Sequence, residues 1–218
     1  MGHIYANMIG REIPFPLIAL VVSGGHTDLI LMENEYSFKY LGQTLDDAIG
    51  EAYDKVARIL DLPYPGGPNV EKYALEGTPS YKMPQILNDE SYNFSFSGIK
   101  SHVNNLAHNA EQRKESINKY DLACSFQTCV TNHLVDKTKK ALLRTNIETL
   151  LLSGGVAANS YIRNSLKEMC DTHGITMYMP EKKYCTDNAA MIGAAAYVLY
   201  KHKIFAPLST NAESHAKL

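Results

Sequence analysis

Tryptophan is missing from these 218 residues, and cysteine is scarce at four. Cys124, Cys129, Cys170 and Cys185 form no C-x-x-C pair, so neither a disulfide framework nor a zinc cluster built from them alone fits. They read as buried or half-buried thiols. An excess of one charge is missing too: 21 Lys and Arg face 23 Asp and Glu, a formal net charge of -2. Such a balance supplies no global attraction to nucleic acid or to an anionic membrane, although a local basic face stays open. No apolar run approaches the roughly 20 residues of a membrane span, and residues 1–16 lack the continuous apolar core of a secretory signal. The expectation is a soluble, cytoplasmic chain without membrane association. Three motifs are also absent. Without G-x-x-x-x-G-K-[ST] and G-x-G-x-x-G there is no P-loop and no Rossmann fingerprint, and without H-E-x-x-H a conventional zinc peptidase has little support.

What is present is organised around LIALVVSGGHTDLILM at 17–32. Two apolar runs flank Ser23-Gly24-Gly25-His26-Thr27, which predicts a β-hairpin turning through glycines. Leu150-Leu151-Leu152-Ser153-Gly154-Gly155 repeats the device before a helix, and the two turns are expected to face one another across a cleft. Leu45 to Leu60 predicts an amphipathic helix, with Leu45, Ile49, Ala52, Val56 and Ile59 inward and Asp47, Glu51, Asp54 and Arg58 on another side. Pro63 to Pro68 reads as a shaped glycine loop, followed by a short helix over 69–76. Further helices are expected over 97–106, 121–143, 160–170 and 186–200, with strands near 36–41, 149–152 and 175–179. Residues 109–119 read as a solvated connection. Alternating strands and helices in the second half imply a parallel sheet.

The first glycine turn suits a phosphate or acyl-phosphate through converging N–H groups, with a plain hairpin as the bland alternative. Asn159 is either a nucleotide contact or a helix cap. Asp54 is either a ligand-orienting carboxylate or a solvated acid paired with Arg58 at i+4. Asp187 sits where a helix N-terminus favours negative charge, with Thr186 as the expected cap. His3, His26 and Asp187 are candidates for a metal.

The ordered set GHIYA at 2–6, VVSGGHT at 21–27, LDDAIGEAYDKVARILDLPYPGGP at 45–68, FSFSGIK at 94–100, LSGGVAANSYIR at 152–163 and CTDNAAMIGAAA at 185–196 resembles the tRNA N6-adenosine threonylcarbamoyltransferase family, formerly described as O-sialoglycoprotein endopeptidases. The resemblance implies an α/β fold of the actin-like, or ASKHA, type and transfer of threonylcarbamoyl from threonylcarbamoyl-adenylate to N6 of adenosine 37 in tRNA. It implies substrate contacts at Val22, Ser23, Gly24, Gly25, His26, Asp54, Gly67 and Asn159, and metal ligands at His3 and Asp187. The metal would be Fe(2+), alternatively Zn(2+); ATP or another adenine nucleotide would fit the same site. Implied partners are tRNA, a paralogous actin-like subunit and the associated ATPase. The first histidine of the family's HxxxH pair and its N-terminal half have no counterpart here. The expected organisation is therefore a remnant helix over 1–14, the C-terminal lobe over 15–184, and over 185–218 a helix and tail returning toward the missing lobe. The expected consequences are impaired transfer and self-association through the uncovered face. The alternatives are a nonenzymatic actin-like assembly or partner-binding protein and, more weakly, a metallopeptidase.

Overall fold

The computed structural model describes residues 1–211; the last part, 212–218, of the helix and tail expected over 185–218 lies outside the described residues. Its centre is β1 (Leu17–Val22), buried along its whole length. A strand covered on both faces must be apolar at every position rather than at alternate ones, which is why LIALVV carries no polar residue. β2 (Thr27–Met32) returns antiparallel to β1, and β3 (Lys39–Gln43) continues antiparallel beyond it with a register shift at Leu29/Ile30. On the other side of β1 lie β4 (Thr149–Ser153) and β5 (Thr176–Tyr178), both parallel, giving the order β3-β2-β1-β4-β5. The parallel pairing expected of the second half is formed.

The two faces of β1 serve different cores. Ile18, Leu20 and Val22 join Leu150 and Leu152 beneath α2 (Ile49–Ile59), α3 (Gly66–Leu75), α4 (Ser97–Arg113), α5 (Lys119–Thr145) and α6 (Ser160–Thr172). Leu17, Ala19, Val21 and Leu151 face Ile4 and Ile13 of the N-terminal segment. That segment is α1 (Gly2–Tyr5) running into a single 3₁₀ turn at Ala6–Met8, shorter than the remnant helix expected over 1–14. It is tied to the sheet by Asn7, whose Nδ2 donates to the Leu152 carbonyl (2.9 Å) and to Ser153 Oγ (3.2 Å). Arg11 spans further, donating to the Asn7 Oδ1 and the Met179 carbonyl.

Several boundaries differ from expectation, each for a local reason. α2 starts at Ile49, where Thr27 Oγ1 accepts from the Ile49 N–H; Leu45 stays outside the helix and 62% exposed, its own N–H donated to the Phe94 carbonyl. α3 begins at Gly66, inside the stretch read as a loop, because Pro68 is tolerated in a first helical turn. α4 runs on through 109–113, the first part of the connection expected over 109–119, and stops where Lys114 takes a left-handed conformation at φ 57°. α7 (Ala189–Lys201) is capped by Asn188, whose side chain accepts from the Met191 N–H, rather than by Thr186. Of α7 only Met191, Ala195 and Val198 are buried, and Ala189, Ala190, Gly193 and Ala196 are exposed.

Residues 78–93 form no helix or strand but run along α5 as a strap. Its backbone is held in sequence by Asp121, Ser125, Cys129 and Lys137, the last donating to Asp89 Oδ1 at 2.6 Å and to the Ser91 carbonyl at 2.8 Å.

Candidate functional site

The two Ser-Gly-Gly turns follow adjacent parallel strands and stand side by side rather than across a cleft. The contact is tight: Gly154 has φ +98°, and a Cβ there would lie 2.2 Å from the Val22 carbonyl oxygen. In the first turn the Ser23 N–H donates to the His26 carbonyl and the His26 N–H to Ser23 Oγ (3.0 Å). The N–H groups of Gly24 and Gly25 keep no partner among the described residues, and both glycines are exposed. α2 abuts this turn, its Gly50 N–H donating to the Ser23 carbonyl at 3.2 Å; a side chain at Gly50 would strike Ser23 and Gly24.

A cavity of about 360 Å³ opens beside these turns, lined by Gly24 from the first, Gly50, Tyr53 and Asp54 of α2, Tyr64, Gly67 and Glu71 around the start of α3, Gly155, Val156, Ala158 and Asn159 after β4, and Thr186. Of the eight residues implied as substrate contacts, Gly24, Asp54, Gly67 and Asn159 line this one cavity. Val22, Ser23, Gly25 and His26 do not: Val22 is buried under Gly154, Ser23 is buried within its turn, and Gly25 and His26 stand exposed at the tip.

Each carboxylate and amide here also does structural work. Asp54 Oδ1 accepts the Gly66 N–H at 2.9 Å, so it fixes the first turn of α3; the i+4 pairing with Arg58 is not formed. Glu71 Oε1 accepts the Ser160 N–H, and Asn159 Oδ1 accepts the Ile162 N–H at 2.9 Å. Of the first amides of α6, those of Ser160, Ile162 and Arg163 are therefore satisfied from within the protein. Open N–H groups lie at the first glycine turn, on Gly24 and Gly25, and also at Gly67, Gly155 and Val156 of the cavity lining. Unpaired amides suit an anion, and the amide and two carboxylates of Asn159, Asp54 and Glu71 suit hydroxyl and ring-nitrogen groups.

Glu71, Tyr53 and Gln127 were not singled out from the sequence. For Glu71 a signal existed: once α3 starts at Gly66, Gly67 and Glu71 are four apart and share a helix face. Gln127 is buried on α5 beside Phe126, and a polar residue inside an apolar stripe is the signal that was available.

His3 and Asp187 are not part of the cavity lining but meet each other, with His3 Nε2 3.4 Å from Asp187 Oδ1; Asp187 is next in sequence to the lining residue Thr186. Burial pushes the His3 imidazole below its ordinary pKa, against the pull of the Asp187 carboxylate, and nearby His26 adds to the lowering. His3 Nδ1 is buried with no hydrogen-bond partner, whereas the Asp187 side chain is 91% exposed. An imidazole and a carboxylate side by side fit a divalent cation's donor set, but among the described residues no group of three His, Cys, Asp or Glu is placed to hold one.

The family model described as tRNA N6-adenosine threonylcarbamoyltransferase (TsaD) matches residues 1–194. A protein of that description from Halalkalibacterium halodurans is 50% identical over 218 residues, covering all of this chain and 64% of its own length. One from Staphylococcus aureus (strain JH9) is 48% identical over the same span and again 64% covered. The chain therefore spans slightly under two thirds of the relatives it matches. Among solved structures, full-length HypF in a phosphate- and nucleotide-bound form matches 94% of this chain and 43% of its own, with TM-score 0.72 at 15% identity. The activator of the 2-hydroxyisocaproyl-CoA dehydratase from Clostridium difficile with bound ADPNP matches 95% and 70%, with TM-score 0.51 at 14% identity. At such identities the likeness is one of fold alone, a mixed α/β fold.

Proposed function

This chain belongs to the tRNA N6-adenosine threonylcarbamoyltransferase family, and from that premise we propose that its cavity binds threonylcarbamoyl-adenylate for transfer of the threonylcarbamoyl group to N6 of adenosine 37 in tRNA. The observation that carries the reading is the meeting of Gly24, Asp54, Gly67 and Asn159, from four separate segments, around one cavity. The adenosine end lies toward Asp54, Glu71 and Asn159, and the acyl-phosphate end toward the unpaired amides of Gly24 and Gly25. Ser23 and His26 shape that turn, and Val22 supports it from below.

In the transfer the N6 amine attacks the carbamoyl carbonyl, the new N–C bond forms, and the C–O bond to phosphate breaks with its electron pair leaving on AMP; N6 loses a proton. Negative charge develops on the carbonyl oxygen and the leaving phosphate, and unpaired backbone amides favour it without reorganising. His3 and Asp187 are the residues that would hold a divalent metal, Fe(2+) or Zn(2+), together with donors from beyond the described set. Such a metal supplies Lewis-acid stabilisation of anionic oxygens when bound. ATP or another adenine nucleotide fits the same cavity by the same contacts.

The organisation proposed is an actin-like C-terminal lobe over 15–184, with 1–14 and the helix from 185 onward facing a second lobe. tRNA, a paralogous actin-like subunit and an associated ATPase are proposed as partners of the whole protein. Among the described residues no helix is long and apolar enough to cross a membrane.

Calorimetric titration with a non-hydrolysable threonylcarbamoyl-adenylate analogue tests the reading. A Cβ at Gly67 meets nothing within 4 Å, so Gly67→Val narrows the cavity without a clash in the protein. Loss of analogue binding at unchanged melting temperature is expected; undiminished binding by Gly67→Val removes the cavity as the site.

A further inference from the structure

Asn159 performs two jobs with one amide, and a residue on another helix makes this possible. Its Oδ1 is committed to the Ile162 N–H, capping α6, so Nδ2 must point the opposite way. One Nδ2 hydrogen goes to Gln127 Oε1 at 3.0 Å. Nδ2 carries two hydrogens, so a second remains, on a side chain that lines the cavity yet is only 7% exposed. Gln127 is itself buried, at 3% exposure. Its oxygen is the atom turned toward Asn159 because a second donor, the Tyr53 hydroxyl, reaches the same Oε1 at 3.5 Å. Tyr53 is set by its edge-on contact with Phe126, ring centroids 5.1 Å apart at 76°. Burial raises the Tyr53 phenol well above its ordinary pKa, so it stays a neutral donor.

We propose that Gln127 is a positioning residue that holds the Asn159 amide in one orientation, so that the remaining Nδ2–H is offered to a hydrogen-bond acceptor on the nucleoside part of the ligand. The proposal rests on the adenylate reading and refines it: the atom selected is an acceptor, a purine ring nitrogen or a ribose oxygen, and a donor at that place is rejected. Discrimination of this kind is strong because a buried N–H left facing another donor loses its hydrogen bond with no water to replace it. Without Gln127 the Asn159 side chain still caps α6, but its amide loses the contact that fixes its angle to the cavity.

The test uses ADP as probe with the full chain. Gln127→Met keeps length and removes the acceptor; Gln127→Glu keeps an acceptor oxygen. ADP affinity is measured by calorimetry, Asn159 side-chain amide exchange and Ile162 N–H protection by NMR, and thermal midpoint in parallel. Gln127→Met is expected to weaken ADP about tenfold, a typical share for one oriented hydrogen bond, and to speed exchange of the Asn159 amide while Ile162 stays protected. Gln127→Glu is expected to recover most of the affinity. Unchanged affinity in Gln127→Met, or a lowered midpoint with unchanged affinity of the folded fraction, overturns the proposal. If wild type binds no ADP while Gln127→Met still frees the Asn159 amide, the adenylate reading fails and the hold of Gln127 on Asn159 stands. Should Gln127→Met not fold, Asn159→Asp keeps the cap and turns the offered donor into an acceptor. ADP binding equal to wild type in that variant also overturns the proposal.

Discussion

Asp54 and Gly66, twelve residues apart, are in direct contact: the Asp54 side-chain Oδ1 accepts the Gly66 N–H at 2.9 Å, and a Cβ on Gly66 would come within 2.6 Å of the Asp54 Cα. The acid therefore sets where α3 begins, and the glycine sets how closely α3 approaches α2. Gly66→Ala is expected to push the helices apart, lowering stability on the order of 2 kcal/mol and abolishing ligand binding. Asp54→Asn retains an acceptor for the Gly66 N–H, so its fold is expected to stay within about 1 kcal/mol of wild type while affinity for an adenine nucleotide falls about tenfold. Urea unfolding together with calorimetry separates the two effects.

The second glycine turn gives a sharper contrast within one dipeptide. Gly154 combines φ +98° with a Cβ position 2.2 Å from the Val22 carbonyl, whereas a Cβ at Gly155 meets nothing within 4 Å. Gly154→Ala is expected to cost on the order of 3 kcal/mol or more, and Gly155→Ala less than about 1 kcal/mol. Equal denaturant midpoints for the two variants would contradict the close packing of β1 on β4.

His133 makes acid stability specific to one side chain. It is buried against Phe94 and Phe96, and its Nε2 has no partner. Burial, reinforced by the Lys137 ammonium and opposed by Asp89, lowers its pKa to about 4. The unfolded chain takes up this proton near pH 6.5 and the folded chain only near 4. Stability from this group is therefore complete above pH 6.5 and is lost as pH falls toward 4, by up to about 3 kcal/mol. Carboxylates add their own acid dependence, so the reading is a difference: His133→Leu is expected to show a shallower fall in unfolding free energy across that window. Parallel curves for the two proteins would refute it.

The strap over 78–93 hangs on Lys137, whose ammonium is nearly buried between Asp89 and the Ser91 carbonyl. Lys137→Met removes these bonds from a site that keeps its acceptors, which is expected to lower stability on the order of 2 kcal/mol. Limited proteolysis, with cleavage sites read by mass spectrometry, is expected to show faster cutting within 78–93. Cleavage that speeds up elsewhere first would place the weak point outside the strap.

Much of the architecture was legible because its signals are local. An unbroken apolar run marks a strand covered on both faces, as in β1 and β4. The positions Leu122, Phe126, Val130, Leu134 and Ala141 define the buried stripe of α5 by helical spacing alone, and all five are fully buried. Four of the site positions implied by the family resemblance also line one cavity. The remainder was not legible because it depends on partners far apart in the chain: Leu45 is exposed because its backbone pairs with Phe94, and Asp54 turns to Gly66 rather than to Arg58 on its own helix.

The order of residues by itself determined which segments become strands and helices and which of their faces turn inward, since those follow from periodicities within a few residues. Only the folded chain decided which amides were used up and which stayed free. Asn159 caps α6 and meets Gln127 from 32 positions away, Glu71 closes the Ser160 amide from 89 away, and the N–H groups of Gly24 and Gly25 keep no partner among the described residues. A hydrogen bond binds only at about 3 Å, so its partner is chosen by packing in space rather than by position in sequence.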